Sequence, residues 1–134
     1  VAAGRAGAVE AGVAAMRAHG AHAGVQAQGC RALSKLTVNN TDNRVAACRA
    51  GAVEAGVAAM RAHGAHAGVL EGGCSALNNI TYNIADNQVA AGRAGAVEAV
   101  VAAMRAHGAH AGVQAQGCRA LSKLTVNNTD NRVA

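Results

Sequence analysis

Residues 45–88 read VAACRAGAVEAGVAAMRAHGAHAGVLEGGCSALNNITYNIADNQ, and a version of the same 44 residues stands on either side of them. The flanking copies span 1–44 and 89–132, and Val133-Ala134 match the start of a fourth copy. A fixed period of this length is typical of a solenoid, in which each unit buries its apolar face against its neighbours. We therefore predict one domain, 1–134, built from stacked repeats.

The copies do not diverge evenly along their length. The outer two differ only at Gly12 against Val100, whereas the middle copy differs from the first at twelve positions, eleven of them between residues 70 and 88. This distribution is expected if the first half of the unit is framework and the second half carries an exposed binding face. Recent duplication or an engineered repeat array would also leave the outer copies nearly identical.

Composition indicates an all-α protein. Pro is absent, and Ala, Arg, Glu, Leu and Met supply helix propensity throughout. Most apolar residues are Ala or Val, and Tyr82 is the sole aromatic. At roughly 25 cal/mol per Å² such small side chains contribute little each, so the fold should be marginally stable. No apolar run reaches the ~18 residues that cross a bilayer, so no membrane span is predicted.

Each unit is predicted to hold three helices. In the middle copy, Thr41-Asp42-Asn43 suits the start of the first helix. Gly51 suits its end, because glycine can take the left-handed conformation that closes a helix. The second helix is predicted from about Ala52 to His63 and the third from about Ala67 to Asn83. The end signal recurs in the outer copies at Gly7 and Gly95.

Apolar residues at helical spacing mark the predicted core. On the second helix of the middle copy they are Val53, Val57 and Met60. On the third helix they are Val69, Gly73, Leu77 and Ile80. Val100 stands where the other copies have glycine, which indicates that this position faces inward.

This pattern resembles the armadillo repeat, of which HEAT repeats are close relatives. The segment 42–60 resembles that family's first helix, glycine and second helix, and GCSALNNIT and GCRALSKLT resemble its third. The resemblance covers the whole chain and implies a right-handed α-solenoid of three 44-residue, three-helix repeats. It also implies that the third helices line a concave side, where an asparagine holds the backbone of an extended peptide.

The match at the asparagine position is partial. That position is filled by Asn79, Lys35 and Lys123. Karyopherin-type members place Trp four residues earlier, where this chain has Arg31, Ser75 and Arg119. Because an import-signal site needs indole rings and acidic walls, the departure argues against binding of nuclear-import signals.

These positions, with one aromatic residue, form the predicted peptide-binding surface. Its members are Arg31, Lys35, Ser75, Asn79, Tyr82, Arg119 and Lys123. Two basic pairs, each four residues apart, flank a neutral patch, which suits an extended acidic or phosphorylated protein segment. The net charge of +5 agrees with an acidic partner. The alternative interpretation is a solvated helix face whose charges serve only solubility.

Other functions have weaker support in the sequence. Basic residues also lie outside the third helices, at Arg5, Arg17, Arg49 and Arg61, so the positive charge is spread. With no aromatic platform beyond Tyr82, this distribution disfavours a nucleic-acid partner. The same residues recur in every copy, whereas a catalytic site is asymmetric, so we predict no enzyme. Three histidine pairs recur, at His19/His22, His63/His66 and His107/His110. We predict that one histidine of each pair ends the second helix and the other begins the third. We predict neither a metal nor a cofactor, because no Cys or carboxylate in the turn completes a zinc site.

The cysteines also repeat, with Cys30, Cys74 and Cys118 equivalent and Cys48 alone. Neighbouring helices pack about 8–10 Å apart, beyond the ~7 Å Cα separation that a disulfide tolerates. We predict small buried hydrophobic residues in a reducing compartment, and hence a cytoplasmic or nuclear location.

The ends of the array lack the atypical polar repeats that cap most solenoids, so both end faces are expected to expose apolar surface. The predicted function is a non-enzymatic scaffold that binds an extended acidic peptide. The alternative is a structural array that assembles end to end as a homo-oligomer, or that forms part of a longer solenoid.

Overall fold

The computed structural model describes the backbone of residues 2–126, with side chains from Gly7 onward, and this part of the chain is all-helical. The start of a fourth copy predicted at 133–134 lies outside the described residues. Eight helices follow in order: α1 (Ala2–Ala18), α2 (Ala23–Thr37), α3 (Thr41–Arg49), α4 (Ala52–Ala62), α5 (Ala67–Thr81), α6 (Ala85–Arg93), α7 (Ala96–Ala106) and α8 (Ala111–Leu124).

The three helices predicted around the middle copy are α3, α4 and α5, and each begins where the sequence places it; α3 begins four residues before the copy itself. The N-cap of α3 is Asn40 rather than one of the predicted residues Thr41-Asp42-Asn43. The Asn40 Oδ1 accepts a hydrogen bond from the Asn43 N–H at 2.9 Å. Helix α5 ends at Thr81, two residues before the predicted Asn83, because the backbone of Tyr82 is extended, with φ −60° and ψ 117°.

The predicted glycine break is confirmed at Gly51 and Gly95, whose φ angles of 86° and 85° lie in the left-handed region. It is wrong at Gly7, where α1 continues without interruption to Ala18. At both real breaks an arginine of the preceding copy packs onto the glycine: a Cβ placed there would overlap Arg17 or Arg61, respectively. Gly7 has nothing within 4 Å of the same position, so no neighbouring copy holds a turn there.

Helices at equivalent positions in the sequence copies pack against each other. The third helices of the copies make the most extensive contacts, α2 with α5 and α5 with α8. The second helices also contact each other, α1 with α4 and α4 with α7. Within each copy the second helix also packs on the third. The core therefore runs through the junctions between copies as well as within them.

The predicted core stripes are confirmed. The seven residues assigned to the core of the middle copy, from Val53 to Ile80, are all buried. Val100 is 0 % exposed, as the glycine-to-valine difference indicated. No helix within residues 2–126 combines the length and apolar character needed to cross a membrane.

Buried polar groups join the first helices to the rest of the stack. The Asn87 Nδ2 donates to the Ile80 carbonyl at 2.9 Å and to the Arg44 carbonyl at 3.1 Å, linking α6 to both α5 and α3. The Arg44 Nε donates to the Thr37 carbonyl at 2.9 Å. The Thr37 and Ile80 carbonyls lie in the last turns of α2 and α5, where carbonyls have no partner within their own helix.

Candidate binding groove

A groove of about 570 Å³ lies between α2 and α5 and is closed on one side by Gln116 of α8. Its lining is formed by Gly24, Ala27, Gln28, Arg31, Ser34, Lys35, His66, Gly68, Glu71, Gly72 and Ser75. Much of the lining on α2 and α5 is glycine or alanine, so few side chains fill the groove, and polar side chains lie around it. We call this feature the α2–α5 groove.

Three of the predicted site residues line the α2–α5 groove: Arg31, Lys35 and Ser75. Arg31 and Lys35 are exposed and lie one turn apart on α2. Within the described part of the chain, neither side chain has a hydrogen bond or an ion pair to another residue. Their guanidinium and ammonium groups are therefore available to a ligand in the groove.

Asn79 takes part in a hydrogen-bonded cluster that joins α5 to α2. Its Nδ2 donates to the Ser34 carbonyl at 2.9 Å and to the Ser34 Oγ at 3.0 Å. The Oγ atoms of Ser34 and Ser75 share a further hydrogen bond of 2.6 Å. The Asn79 amide nitrogen is thus already bonded to the first copy, and a peptide would have to displace these hydrogen bonds.

Tyr82 lies between cations from the two outer copies. The Arg44 guanidinium carbon is 4.9 Å from the centre of its ring, and the Lys123 Nζ is 5.2 Å from the same point. Both distances fall within the range of cation–π contacts. The ring therefore joins the three copies, and it orients Lys123 toward α5.

The second predicted basic pair does not form a groove like the first. Arg119 and Lys123 lie on α8, where Arg119 is exposed and Lys123 packs on Tyr82. Among the residues the structure describes, α8 has no following third helix to close a groove on its far side. The structure thus brings Arg31, Lys35 and Ser75 together and leaves Arg119 outside their groove.

Sequence reasoning left two residues of this region out of the site. Glu71 lines the groove, and its carboxylate lies against Gly112 in the first turn of α8, where the helix dipole favours a negative charge. The sequence signal was that Glu71 replaces Ala27 and Ala115 of the other copies. Arg44 carried no such signal, because it belongs to the first helix of the unit and reaches Tyr82 only through the fold.

The predicted structural roles of the histidines are confirmed. His22, His66 and His110 cap the third helices, because each Nδ1 accepts a hydrogen bond from the backbone N–H three residues later, at 3.1, 3.2 and 3.1 Å. An accepting Nδ1 places the ring proton on Nε2. His63 and His107 follow the second helices as their C-caps. Among the described residues, no group of three or more His, Cys, Asp or Glu side chains is placed to hold a metal ion.

The predicted burial of the equivalent cysteines is confirmed for Cys30 and Cys74 and is wrong for Cys118, which is exposed. Cys30 packs beneath α5, with its Cβ 3.2 Å from the position a Cβ would take on Gly72. Burial raises the pKa of the Cys30 and Cys74 thiols to about 12, which leaves both protonated and unreactive near neutrality. Cys118 occupies the same helix position on α8, the last helix of the described residues, so no described helix packs over it.

No protein-family model, curated protein or solved structure matches this chain. The likeness to armadillo repeats therefore rests on the sequence motifs, and the α2–α5 groove rests on the geometry of α2 and α5.

Proposed function

We propose that the chain is a non-enzymatic protein-interaction scaffold that binds an extended acidic peptide in the α2–α5 groove. The observation that carries this proposal is the pair Arg31 and Lys35, two exposed cations on the wall of an open groove that have no partner among the described residues. Helix α2 fixes the backbone of both residues, so binding of an oppositely charged ligand orders these two side chains and requires little ordering of the backbone.

The proposed architecture is an armadillo-like, right-handed solenoid. The packing of α2 on α5 and of α5 on α8 supports it, because a solenoid stacks equivalent helices of successive repeats side by side. The superhelix hand and the concave position of the third helices are what the armadillo resemblance implies. In that arrangement the groove lies on the binding side of the stack.

The charges around the groove define the ligand. Arg31 can bind a carboxylate or phosphate through two parallel hydrogen bonds, and Lys35 adds a point charge one turn away. Glu71 stands in the same groove and repels a second acidic group near α8, so it suits a peptide N–H or a hydroxyl group instead. The best ligand is an extended segment with its acidic side chains over α2 and neutral residues over α5.

Peptide binding can be tested by fluorescence anisotropy with a labelled peptide of alternating Glu and Ser. The test variant is Arg31→Glu/Lys35→Glu. The control variant is Arg49→Glu/Arg93→Glu, which changes the net charge equally at two exposed positions on α3 and α6, outside the groove. Loss of a charge-assisted hydrogen bond, about 1.5–3 kcal/mol, predicts at least a tenfold weaker affinity for the groove variant.

The control variant should bind within about threefold of the wild type, because charges farther away than about 8 Å are screened at physiological salt. Equal weakening of both variants would show that only net charge matters and would overturn the groove. A peptide with Lys in place of Glu should not bind. Displacement of the acidic peptide by a single-stranded oligonucleotide at lower concentration than by unlabelled peptide would favour a nucleic-acid partner instead.

A further inference from the structure

Each end of the described fold exposes residues whose equivalents in another copy are buried between neighbouring copies. We call them the C-terminal face and the N-terminal face. The C-terminal face is formed on α7 and α8 by Val101, Met104, Cys118 and Leu121. Each of these side chains is half-buried or exposed. In the first copy, the identical residues Val13, Met16, Cys30 and Leu33 are at most 2 % exposed, because α4 and α5 follow them.

The N-terminal face is formed on α1 and α2 by Ala11, Ala15, Ala32 and Leu36. The three alanines are exposed and the leucine is half-buried. In the third copy, the same residue types at the same positions are almost fully buried, at 6, 3, 0 and 0 % exposure for Ala99, Ala103, Ala120 and Leu124. They are buried there because α4 and α5 precede α7 and α8.

We propose that the C-terminal face of one molecule docks onto the N-terminal face of a second copy of this chain, head to tail. The residues equivalent to the C-terminal face are buried on the first copy, and the residues equivalent to the N-terminal face are buried on the third copy. The structure therefore already contains this interface between its own copies. The outer copies differ only at Gly12 against Val100, and the buried Gly56 shows that a junction accommodates glycine at this position. The second copy is therefore a partner whose shape and apolar pattern the chain itself specifies.

A hydrogen bond from a histidine side chain to a backbone carbonyl supports the same arrangement. His63 Nε2 donates to the Gly20 carbonyl, and His107 Nε2 donates to the Gly64 carbonyl, so the contact repeats at each inner junction. His19 is the equivalent residue of the first copy, and it is exposed. Head-to-tail docking brings the Gly108 carbonyl of one molecule to His19 of the next.

Such an interface is heterologous, because two different surfaces meet. It therefore leaves a free face at each end of a dimer and continues into larger assemblies. This property separates it from a two-fold symmetric dimer, and it does not depend on peptide binding in the α2–α5 groove.

The experiment is sedimentation velocity of the 134-residue chain as a function of concentration. Ala32→Glu blocks the N-terminal face and Cys118→Glu blocks the C-terminal face, and both residues are exposed, so the changes are compatible with folding. Far-ultraviolet circular dichroism and thermal melts check that the two variants remain folded. Equal amounts of the two variants are also mixed.

We expect the wild type to grow beyond a dimer as concentration rises, and each variant alone to remain a monomer. The mixture should form a dimer and stop there, because Ala32→Glu keeps a working C-terminal face and Cys118→Glu keeps a working N-terminal face. A wild-type chain that stays monomeric up to about 1 mM would overturn the proposal, since only an interaction weaker than that would remain. A mixture that stays monomeric while the wild type assembles would overturn the head-to-tail geometry.

Alkylation of Cys118 supplies a second readout. Docking covers this thiol as α5 covers Cys30, so its rate of reaction with a maleimide should fall with rising protein concentration. Ala32→Glu keeps Cys118 and lacks the docking partner, so its rate should stay constant. An equal, constant rate in both proteins over the range where the wild type assembles would place the interface elsewhere.

Discussion

The Nε2 of His63 lies 2.8 Å from the carbonyl oxygen of Gly20, in the turn of the preceding copy. A carbonyl only accepts, so the imidazole donates. His63→Ala should lower the free energy of unfolding by about 1 kcal/mol, the typical net contribution of one hydrogen bond. Urea denaturation followed by circular dichroism measures this change.

His19→Ala is the matched control for that measurement. It removes the same side chain from the same position of the unit, but His19 is exposed, and among the described residues its ring has no such carbonyl partner. We expect its stability to stay within about 0.5 kcal/mol of the wild type, as for most surface substitutions. Equal losses in both variants would mean that the inter-copy bond contributes nothing. The comparison is made on dilute protein, below any self-association.

Replacing glycine by alanine should have opposite effects on stability at two positions of the middle copy. Gly56 is buried in α4, and a Cβ placed there meets nothing within 4 Å. Gly56→Ala should therefore stabilise the protein by about 1 kcal/mol, the difference in helix propensity. Gly73 lies in α5, where a Cβ would stand 2.6 Å from the Met60 Cγ and 2.7 Å from its Sδ.

Met60 is 3 % exposed and has little room to move, so Gly73→Ala overpacks the core. Overpacking costs about 1–3 kcal/mol, which equals or exceeds the gain in helix propensity. We expect Gly73→Ala to have a lower urea midpoint than the wild type, and Gly56→Ala a higher one. If Gly73→Ala were as stable as Gly56→Ala, the close packing of the methionine against α5 would be incorrect.

The contacts of Tyr82 with Arg44 and Lys123 give a third prediction. Tyr82→Leu keeps an apolar side chain but removes the ring faces that attract the two cations. The expected loss is about 1 kcal/mol, because each cation–π contact near the surface contributes about 0.5–1 kcal/mol. Tyr82→Phe keeps the ring and should lose much less. In a Lys123→Met background, the penalty of Tyr82→Leu should shrink; an unchanged penalty would exclude coupling between these two side chains.

Patterns within one helix could be predicted from the sequence, and patterns between copies could not. Val53, Val57 and Met60 share one helix face because of the 3.6-residue period alone, and all three are buried as predicted. The environments of Gly7 and Cys118 depend on whether another copy lies beside them, which identical residues at equivalent positions do not reveal.

The same distinction holds for the candidate groove: features within one helix could be predicted, and features that depend on packing between helices could not. Arg31 and Lys35 were predicted on one face because they are four residues apart, and they line the α2–α5 groove together. The engagement of Asn79 with Ser34 involves residues 45 positions apart and follows only from the packing of α2 on α5. The closing position of Gln116 likewise requires α8 to be in place.

Burial of Cys30 and Cys74 predicts a loss of stability in alkali. Burial raises the pKa of both thiols from 9.0 to about 12, and the charge of Cys30 adds to the effect at Cys74. The unfolded chain releases these protons near pH 9, whereas the folded chain holds them until about pH 12. Their contribution to stability is therefore complete below pH 9 and is lost as pH rises toward 12.

Between pH 8 and pH 10 the expected loss is about 1.4 kcal/mol for each buried cysteine, one pKa unit of differential proton binding. Urea denaturation at the two pH values measures it. Cys30→Ala/Cys74→Ala should lose about 2–3 kcal/mol less over this interval than the wild type. Cys118→Ala is the control and should follow the wild type, because its thiol is exposed in the folded chain. The same pH dependence in the wild type and the double variant would show that water reaches the two inner thiols, and that the junctions between copies are looser than the packing of α2, α5 and α8 indicates.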